Sequence, residues 1–294
     1  MNNGPNKTIN TNRIENLSVT RAIIIFLSNK KTRKTGFNFL GTIIRTFFIP
    51  QYQGRLRIKK RIVVNVDHEL DKLIPFSTDY IKIYMSFTHL WIKSIFFIYL
   101  EFGKKSLPLI NQYIKDIGRL YINSFDVSNK CQSTTTRPGS GMNIPLKLIH
   151  WVDPHLHCVP SLHVMIVCFN HLRIDTLIKT LSDNAASYSA EIDYLGNQAV
   201  QITNSILFMK QHSINCIPAG LFALSAECSE LDDEYAYNIT RELEKLNNSS
   251  IERFEEISLY INELYSDFQK LSKSNTNKEI LIDFLLKYEE LPRL

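Results

Sequence analysis

The chain has 294 residues, 44% of them hydrophobic, with only 10 Gly and 10 Pro; it can bury a sizeable core and is neither low-complexity nor collagen-like. Five cysteines, an odd number without C-x-x-C spacing, argue against a disulfide framework and a zinc ribbon and read as reduced thiols. The net charge of +5 hides a gradient, because residues 1–75 hold 14 Lys and Arg against 4 Asp and Glu while residues 226–294 hold 8 against 16.

Residues 1–20 are polar, rich in Asn and Thr, and lack the apolar run and small-residue cleavage site of a secretory signal, so no cleavable signal peptide is expected. Across residues 21–68, short apolar runs (22–27 and 42–49) alternate with basic clusters such as Lys30-Lys31-Thr32-Arg33-Lys34. Neither run is long enough for a bilayer about 30 Å thick. Helices lying in the interface of an anionic lipid surface fit better than spanning ones. Solvated charge explains the clusters equally well, and no nucleic-acid-binding motif accompanies them. Residues 1–68 therefore read as a basic N-terminal region, partly disordered or forming interfacial helices.

Residues 69–227 hold the apolar segments. The stretch 80–102 has the length and aromatic content of a membrane helix, with Lys82 and Glu101 near its ends, although Lys93 in its middle counts against that reading. Residues 162–172, 200–209 and 214–226 are apolar but short, and buried bundle helices explain them as well as spans do. The slightly negative mean hydropathy of the chain opposes full integration. In residues 228–294, apolar positions recur every three or four residues between acidic ones, notably Ile239, Leu243, Leu246 and then Ile251, Phe254, Ile257, Ile261, Leu264 and Phe268. Breaks are expected at Asn247-Asn248-Ser249-Ser250 and at Ser274-Asn275-Thr276-Asn277, with a last short helix over 280–288. This region reads as amphipathic helices packed on their own domain, or as an arm for a protein partner.

Three segments carry candidate chemistry. Lys130 and Arg137 stand seven residues apart, separated by hydroxyls and followed by Pro138-Gly-Ser-Gly, which suits a loop around a phosphate: the lysine offers a point charge and the arginine a bidentate fork. In Pro160-Ser161-Leu162-His163, Ser161 and His163 fall at a helix start, beside free N–H groups that favour anions. Residues 205–220 read as an apolar helix carrying Lys210 and His212, then a second apolar stretch; a neutral imidazole is a competent nucleophile toward phosphorus when its far nitrogen is held by an acceptor. Taken singly, each segment is also explained as a surface loop or a satisfied core histidine. Asp153-Pro-His155-Leu-His157, with His150 nearby, is a metal candidate that lacks a fourth ligand, so no metal site is expected.

Together the three segments resemble the type-2 phosphatidic acid phosphatase superfamily, whose pattern is K-x6-R-P, then P-S-x-H, then S-R-x5-H-x3-D. Residues 130–138 match the first part in full, Pro160, Ser161 and His163 the second, and Ser205 and His212 the third at the right separation. Upstream, Ile74-Pro75-Phe76, Ile83-Tyr84 and Leu90-Trp91 are similar to the lead-in of the phospholipid and sphingolipid transferase branch. The resemblance covers residues 69–227. It implies an all-α helical bundle, here with the amphipathic C-terminal region appended, and a membrane location, integral or tightly peripheral.

The resemblance also implies a reaction without metal or organic cofactor. His212 would attack the phosphorus of a phosphorylated lipid and form a phosphohistidine, and His163 would protonate the departing alcohol. Lys130, Arg137 and Ser161 would stabilise charge on the equatorial oxygens. Water as acceptor makes a phosphatase, a lipid alcohol a transferase. The chain departs from the pattern twice, since the family's Arg is Ile206 and its Asp is Cys216. Lys210, four residues after Ile206, is expected on the same helical face as a substitute phosphate ligand. Asn215 or the weakly accepting Cys216 is left to orient the nucleophile. The alternative is a catalytically reduced relative that binds phospholipid or serves as a membrane scaffold.

Overall fold

The periodic apolar stripes fold as helices. In the computed structural model, which describes residues 12–139, 141 and 143–288, the chain is 72% helix and 3% strand. In chain order the elements are α1 (Val19–Ser28), α2 (Lys30–Ile43), a π-helical turn (Ile44–Phe48), α3 (Ile49–Arg55), β1 (Ile62–Asn65), α4 (Ile81–Phe102), α5 (Leu107–Ser128), β2 (Cys131–Thr134), α6 (Ile144–Val152), α7 (Leu162–Leu181), α8 (Ser189–Phe208), α9 (Cys216–Ser225), α10 (Asp233–Asn247), α11 (Phe254–Leu271) and α12 (Asn277–Lys287).

Capping residues explain many of the boundaries. The Asn29 side chain accepts from the N–H groups of Lys31 and Thr32 and starts α2 where α1 stops. Asn143, Ser161 and Asp232 cap α6, α7 and α10, and Thr276 with Glu279 forms a reciprocal capping box on α12.

At the centre lies α7, buried continuously from Val164 to Asn170, with α4, α5, α8 and α9 packed around it. A helix apolar on every side belongs in the middle of a bundle. Asn170 on α7 links two neighbours by hydrogen bonds: the Tyr113 hydroxyl on α5 donates to Asn170 Oδ1 at 2.6 Å, and Asn170 Nδ2 donates to Ser94 Oγ on α4 at 3.1 Å. The segment Thr78–Ser128, which is a single turn (Thr78–Tyr80) followed by α4 and α5 with their connecting turn, is long and apolar enough to cross a membrane by length and composition alone, and 39% of its apolar window is buried inside the protein.

Residues 12–68 form helices and a strand that dock on this bundle. Helix α1 packs on α4, where Phe26 meets Phe96 and Tyr99 edge-on at 6.1 and 6.0 Å, and α2 packs on α5. Strand β1 pairs in parallel with β2, Ile62 opposite Cys131. The polar stretch at residues 1–11 lies outside the described residues. The C-terminal helices share the same core, with α11 and α12 packed on α9, Phe268 stacked on Phe222 at 5.2 Å, and Ile257, Ile261 and Leu285 fully buried.

Candidate active site

Two chain segments meet at the end of the bundle. The first, His157 to Ser161, runs beside β2: Ser133 bridges to His157, and the Val159 N–H donates to Ser133 Oγ at 2.8 Å. A cis Val159–Pro160 bond follows, then Ser161 as the N-cap of α7, its side chain accepting from the Val164 N–H. His163 falls in the first turn, its ring stacked on Tyr84 at 4.6 Å and tilted against Phe87 at 4.4 Å, both from α4. Its Nε2 is buried and has no hydrogen-bond partner.

The second segment is the turn between α8 and α9. Helix α8 ends at Phe208, Lys210 takes a left-handed conformation (φ 52°), and the N–H groups of Gln211 and His212 both reach back to the Ile206 carbonyl. Asp71, from the single-turn helix Glu69–Leu73, holds this turn: Oδ1 accepts from the Ile214 N–H at 2.9 Å and Oδ2 from the His68 N–H at 2.8 Å. Burial pushes the Asp71 carboxyl up, against hydrogen bonds from Ser213, His68 and Ile214 that pull it down.

These segments bring the His163 and His212 rings to 5.4 Å between centroids, at 71°. His212 Nδ1 lies 3.2 Å from the Cys158 carbonyl oxygen. Nδ1–H therefore donates to that oxygen, which leaves the Nε2 lone pair free. The approach of the segments is set where α9 crosses α7: a Cβ on Gly220 would stand 3.0 Å from Val164 Cβ and 3.2 Å from the Ser161 carbonyl oxygen.

Arg137 lies close enough for its charge to act on His212 and on His155, whose ring is 6.5 Å from that of His212. Its Nη1 donates to the Asp153 carbonyl at 2.9 Å and its Nη2 to Asp153 Oδ2 at 3.2 Å, while its Nε is buried without a partner. Asp153 Oδ1 also accepts from the His155 N–H at 2.9 Å, so one carboxylate ties the guanidinium to the His155 turn. Burial, then the neighbouring His163, holds His212 well below the usual histidine range, with the Cys158 carbonyl opposing and Arg137 adding to the depression. Burial alone brings His163 down to about 3. Both rings are neutral at pH 7.

Of the residues expected from sequence, His163, His212 and Arg137 come together, with Ser161 capping the helix that carries His163. The other four have different surroundings. Lys130 is exposed just before β2, and the four residues of that strand lie between it and the segment that carries Arg137. Lys210 stands in a turn and not on the face of Ile206, because α8 has already ended; its ammonium donates to the Asp71 carbonyl. The Asn215 amide is taken up elsewhere: its Oδ1 accepts from the Tyr260 hydroxyl at 2.6 Å, and its Nδ2 donates to the Tyr288 hydroxyl at 2.7 Å and the Val66 carbonyl at 2.9 Å. Cys216 is buried as the first residue of α9, its thiol pushed well up by burial, and it makes no bond to the His212 ring among the described residues.

His155 and His157 do not form an H-x-H pair on one side. The left-handed backbone at His155 (φ 65°) turns its ring to Thr135 Oγ1 at 2.7 Å, while the His157 ring packs edge-on against Phe47 at 5.7 Å. Among the described residues no group of three or more His, Cys, Asp or Glu is arranged to hold a metal ion. Sequence reasoning missed Asp71, the Arg137 partner Asp153, and the Cys158 carbonyl; only Asp153 carried a signal, as the first residue of the Asp-Pro-His turn. No protein-family model, curated protein or solved structure matches the chain.

Proposed function

We propose that the chain is a divergent type-2 phosphatidic acid phosphatase, a phosphoric ester hydrolase or phosphotransferase acting on a phosphorylated lipid at a membrane. The observation that carries this reading is the pair of facing imidazoles, with His212 Nδ1–H engaged by a carbonyl and a buried, unpartnered N–H of Arg137 alongside. A backbone carbonyl here takes the part of the missing carboxylate: it fixes the tautomer that exposes Nε2. In the reaction, His212 Nε2 attacks phosphorus, the P–O ester bond breaks, and the leaving alkoxide takes a proton from His163. A phosphate dianion entering between the rings favours a protonated His163, opposing the effect of burial. Water, deprotonated by His163, or a lipid alcohol then displaces the phosphoryl group from His212. Arg137 stabilises charge on the equatorial oxygens, its Nε–H supplying a donor with no other use.

The test is turnover of phosphatidic acid by the purified chain, with acid-labile labelling of the protein by 32P-substrate and inhibition by vanadate. His212→Ala is expected to abolish both turnover and labelling; equal activity in the two proteins refutes the reading. One observation favours the second reading, a phospholipid binder with reduced catalysis: Asp153 already neutralises Arg137, and the Lys210 ammonium is engaged by the Asp71 carbonyl. Saturable phosphatidic acid binding with no turnover and no labelling selects that alternative.

A further inference from the structure

We infer that the outward faces of α2, α3 and α6 form one docking surface for an anionic lipid bilayer, adjoining the histidine site. This deepens the membrane part of the proposed function and does not depend on its chemistry. Phe37 and Leu40 on α2 and Ile44, which opens the π-helical turn, recur at i, i+3 and i+7 on the side opposite the buried Thr32 and Thr35, and they point outward, with Phe37 61% exposed. Helix α2, the π-helical turn and α3 follow one another without a break, and Ile49 at the start of α3 is 44% exposed. There the Tyr52 hydroxyl donates to the carbonyls of Trp151 and Val152 at 2.9 and 3.3 Å and seats α3 on the end of α6. Helix α6 repeats the pattern: Leu146 and Ile149 are buried, while Ile144 (75% exposed), Leu148 and Trp151 (67%) face out at i, i+4 and i+7. A surface helix normally turns its apolar stripe inward. These two carry a second, solvent-facing stripe.

Charge identifies the occupant. From Asn16 to Val66 there are 11 Lys and Arg and no Asp or Glu, and from Val127 to Val152 there are Lys130, Arg137 and Lys147 and again no acid. A single sign of charge beside exposed apolar side chains fits a surface that is itself anionic and apolar beneath, which describes a bilayer rather than a protein of mixed charge. Aromatic Trp151 is suited to the headgroup level. Two residues after Trp151 comes Asp153, the partner of Arg137, so the surface leads directly to the phosphate-binding groups.

Co-sedimentation of the full chain with phosphatidylcholine vesicles, with and without phosphatidylglycerol, tests the inference. Binding is expected only with phosphatidylglycerol, falling at least tenfold in Phe37→Glu/Leu40→Glu, in Leu148→Glu/Trp151→Glu and in Lys31→Gln/Arg33→Gln/Lys34→Gln. Quenching of Trp151 emission by brominated lipid, in a Trp91→Phe chain, supplies a second readout that does not rely on an altered surface. Equal binding to neutral and anionic vesicles, or by wild type and the Glu variants, overturns it. So does a wild-type dimer that ignores vesicles and dissociates in those variants, which assigns the face to a second copy. Hydrolysis of a water-soluble phosphomonoester without vesicles, and vesicle binding by His212→Ala, tell failure of the docking inference from failure of the proposed chemistry.

Discussion

His163 is held by rings and a helix start, His212 by backbone hydrogen bonds and a pinned turn. Tyr84 and Phe87 flank the first imidazole and give its Nε2 nothing to bond. The second has its Nδ1 on a carbonyl, its turn fastened by Asp71, and the next helix fastened through Asn215 to Tyr260 and Tyr288 of the C-terminal helices. Apolar contacts fix the position of a ring without choosing its protonation state, whereas a hydrogen bond chooses the tautomer. The arrangement thus suits one histidine to exchange a proton during a reaction and the other to present the same lone pair throughout.

The largest expected effect tests that division of labour. His212→Ala should lower phosphoester turnover by about four orders of magnitude or more, and His163→Ala by about two to four, the range typical of a general acid–base group. An ester with a good leaving group, such as p-nitrophenyl phosphate, needs no protonation of its alcohol. It should restore much of the rate in His163→Ala and none in His212→Ala. Equal rescue of both variants would erase the contrast.

Next in size is Asp71→Ala. It leaves the buried N–H of Ile214 unsatisfied and frees the turn that bears His212, at a cost of about 2–3 kcal/mol. Urea unfolding should show the loss, and the variant's turnover should fall with it. A stable variant with unchanged turnover would mean that the polar pins on the His212 segment are incidental.

Much of this arrangement is legible in sequence, and the failures share a cause. Helices α4, α11 and α12 lie close to where apolar period and breaks predict them, and α7 starts where expected, because caps such as Ser161 and Thr276 are written in local residue types. Helix α7 runs on to Leu181, nine residues past the apolar stretch, because its polar second half is not so written. The two histidines and Arg137 are legible from their spacing. Lys210 is not, because the helical phase of Ile206 does not reach it: α8 ends at Phe208 and a positive φ at Lys210 turns the chain. The strand between Lys130 and Arg137 is a non-local event, paired with β1 some 70 residues earlier. The acceptor for His212 is a main-chain carbonyl, which every residue possesses and no side chain advertises. Asp71 is an ordinary acidic residue until the fold brings it 143 positions along the chain to Ile214.

The contact that joins the two segments supplies a smaller effect. Gly220 lets α9 lie against the first turn of α7, and an alanine there meets Val164 Cβ and a backbone carbonyl, neither of which is a flexible side-chain end. Gly220→Ala should cost about 1–3 kcal/mol through overpacking. Because relief requires the two histidine segments to separate, turnover should drop further than the loss of folded protein explains. A proportional drop would show that the spacing of the rings is set elsewhere.

The smallest effect at neutral pH separates histidines of the site from one that is merely buried. His157 packs on Phe47 with both ring nitrogens unpartnered, and burial with nearby Arg61 brings its pKa down to about 3. Its folded pKa lies below its unfolded value of about 6.5, so between those limits the unfolded chain binds the extra proton. Its contribution is complete above pH 6.5 and is lost at about 1.4 kcal/mol per pH unit as pH falls toward 3. His157→Phe keeps the edge contact and removes the titration. The variant should match the wild type at pH 7, exceed it by roughly 2 kcal/mol at pH 5 in urea unfolding, and leave turnover unchanged. Parallel stability curves for the two proteins would show that His157 titrates alike in the folded and unfolded chain, and would weaken the case that burial keeps the two site imidazoles neutral.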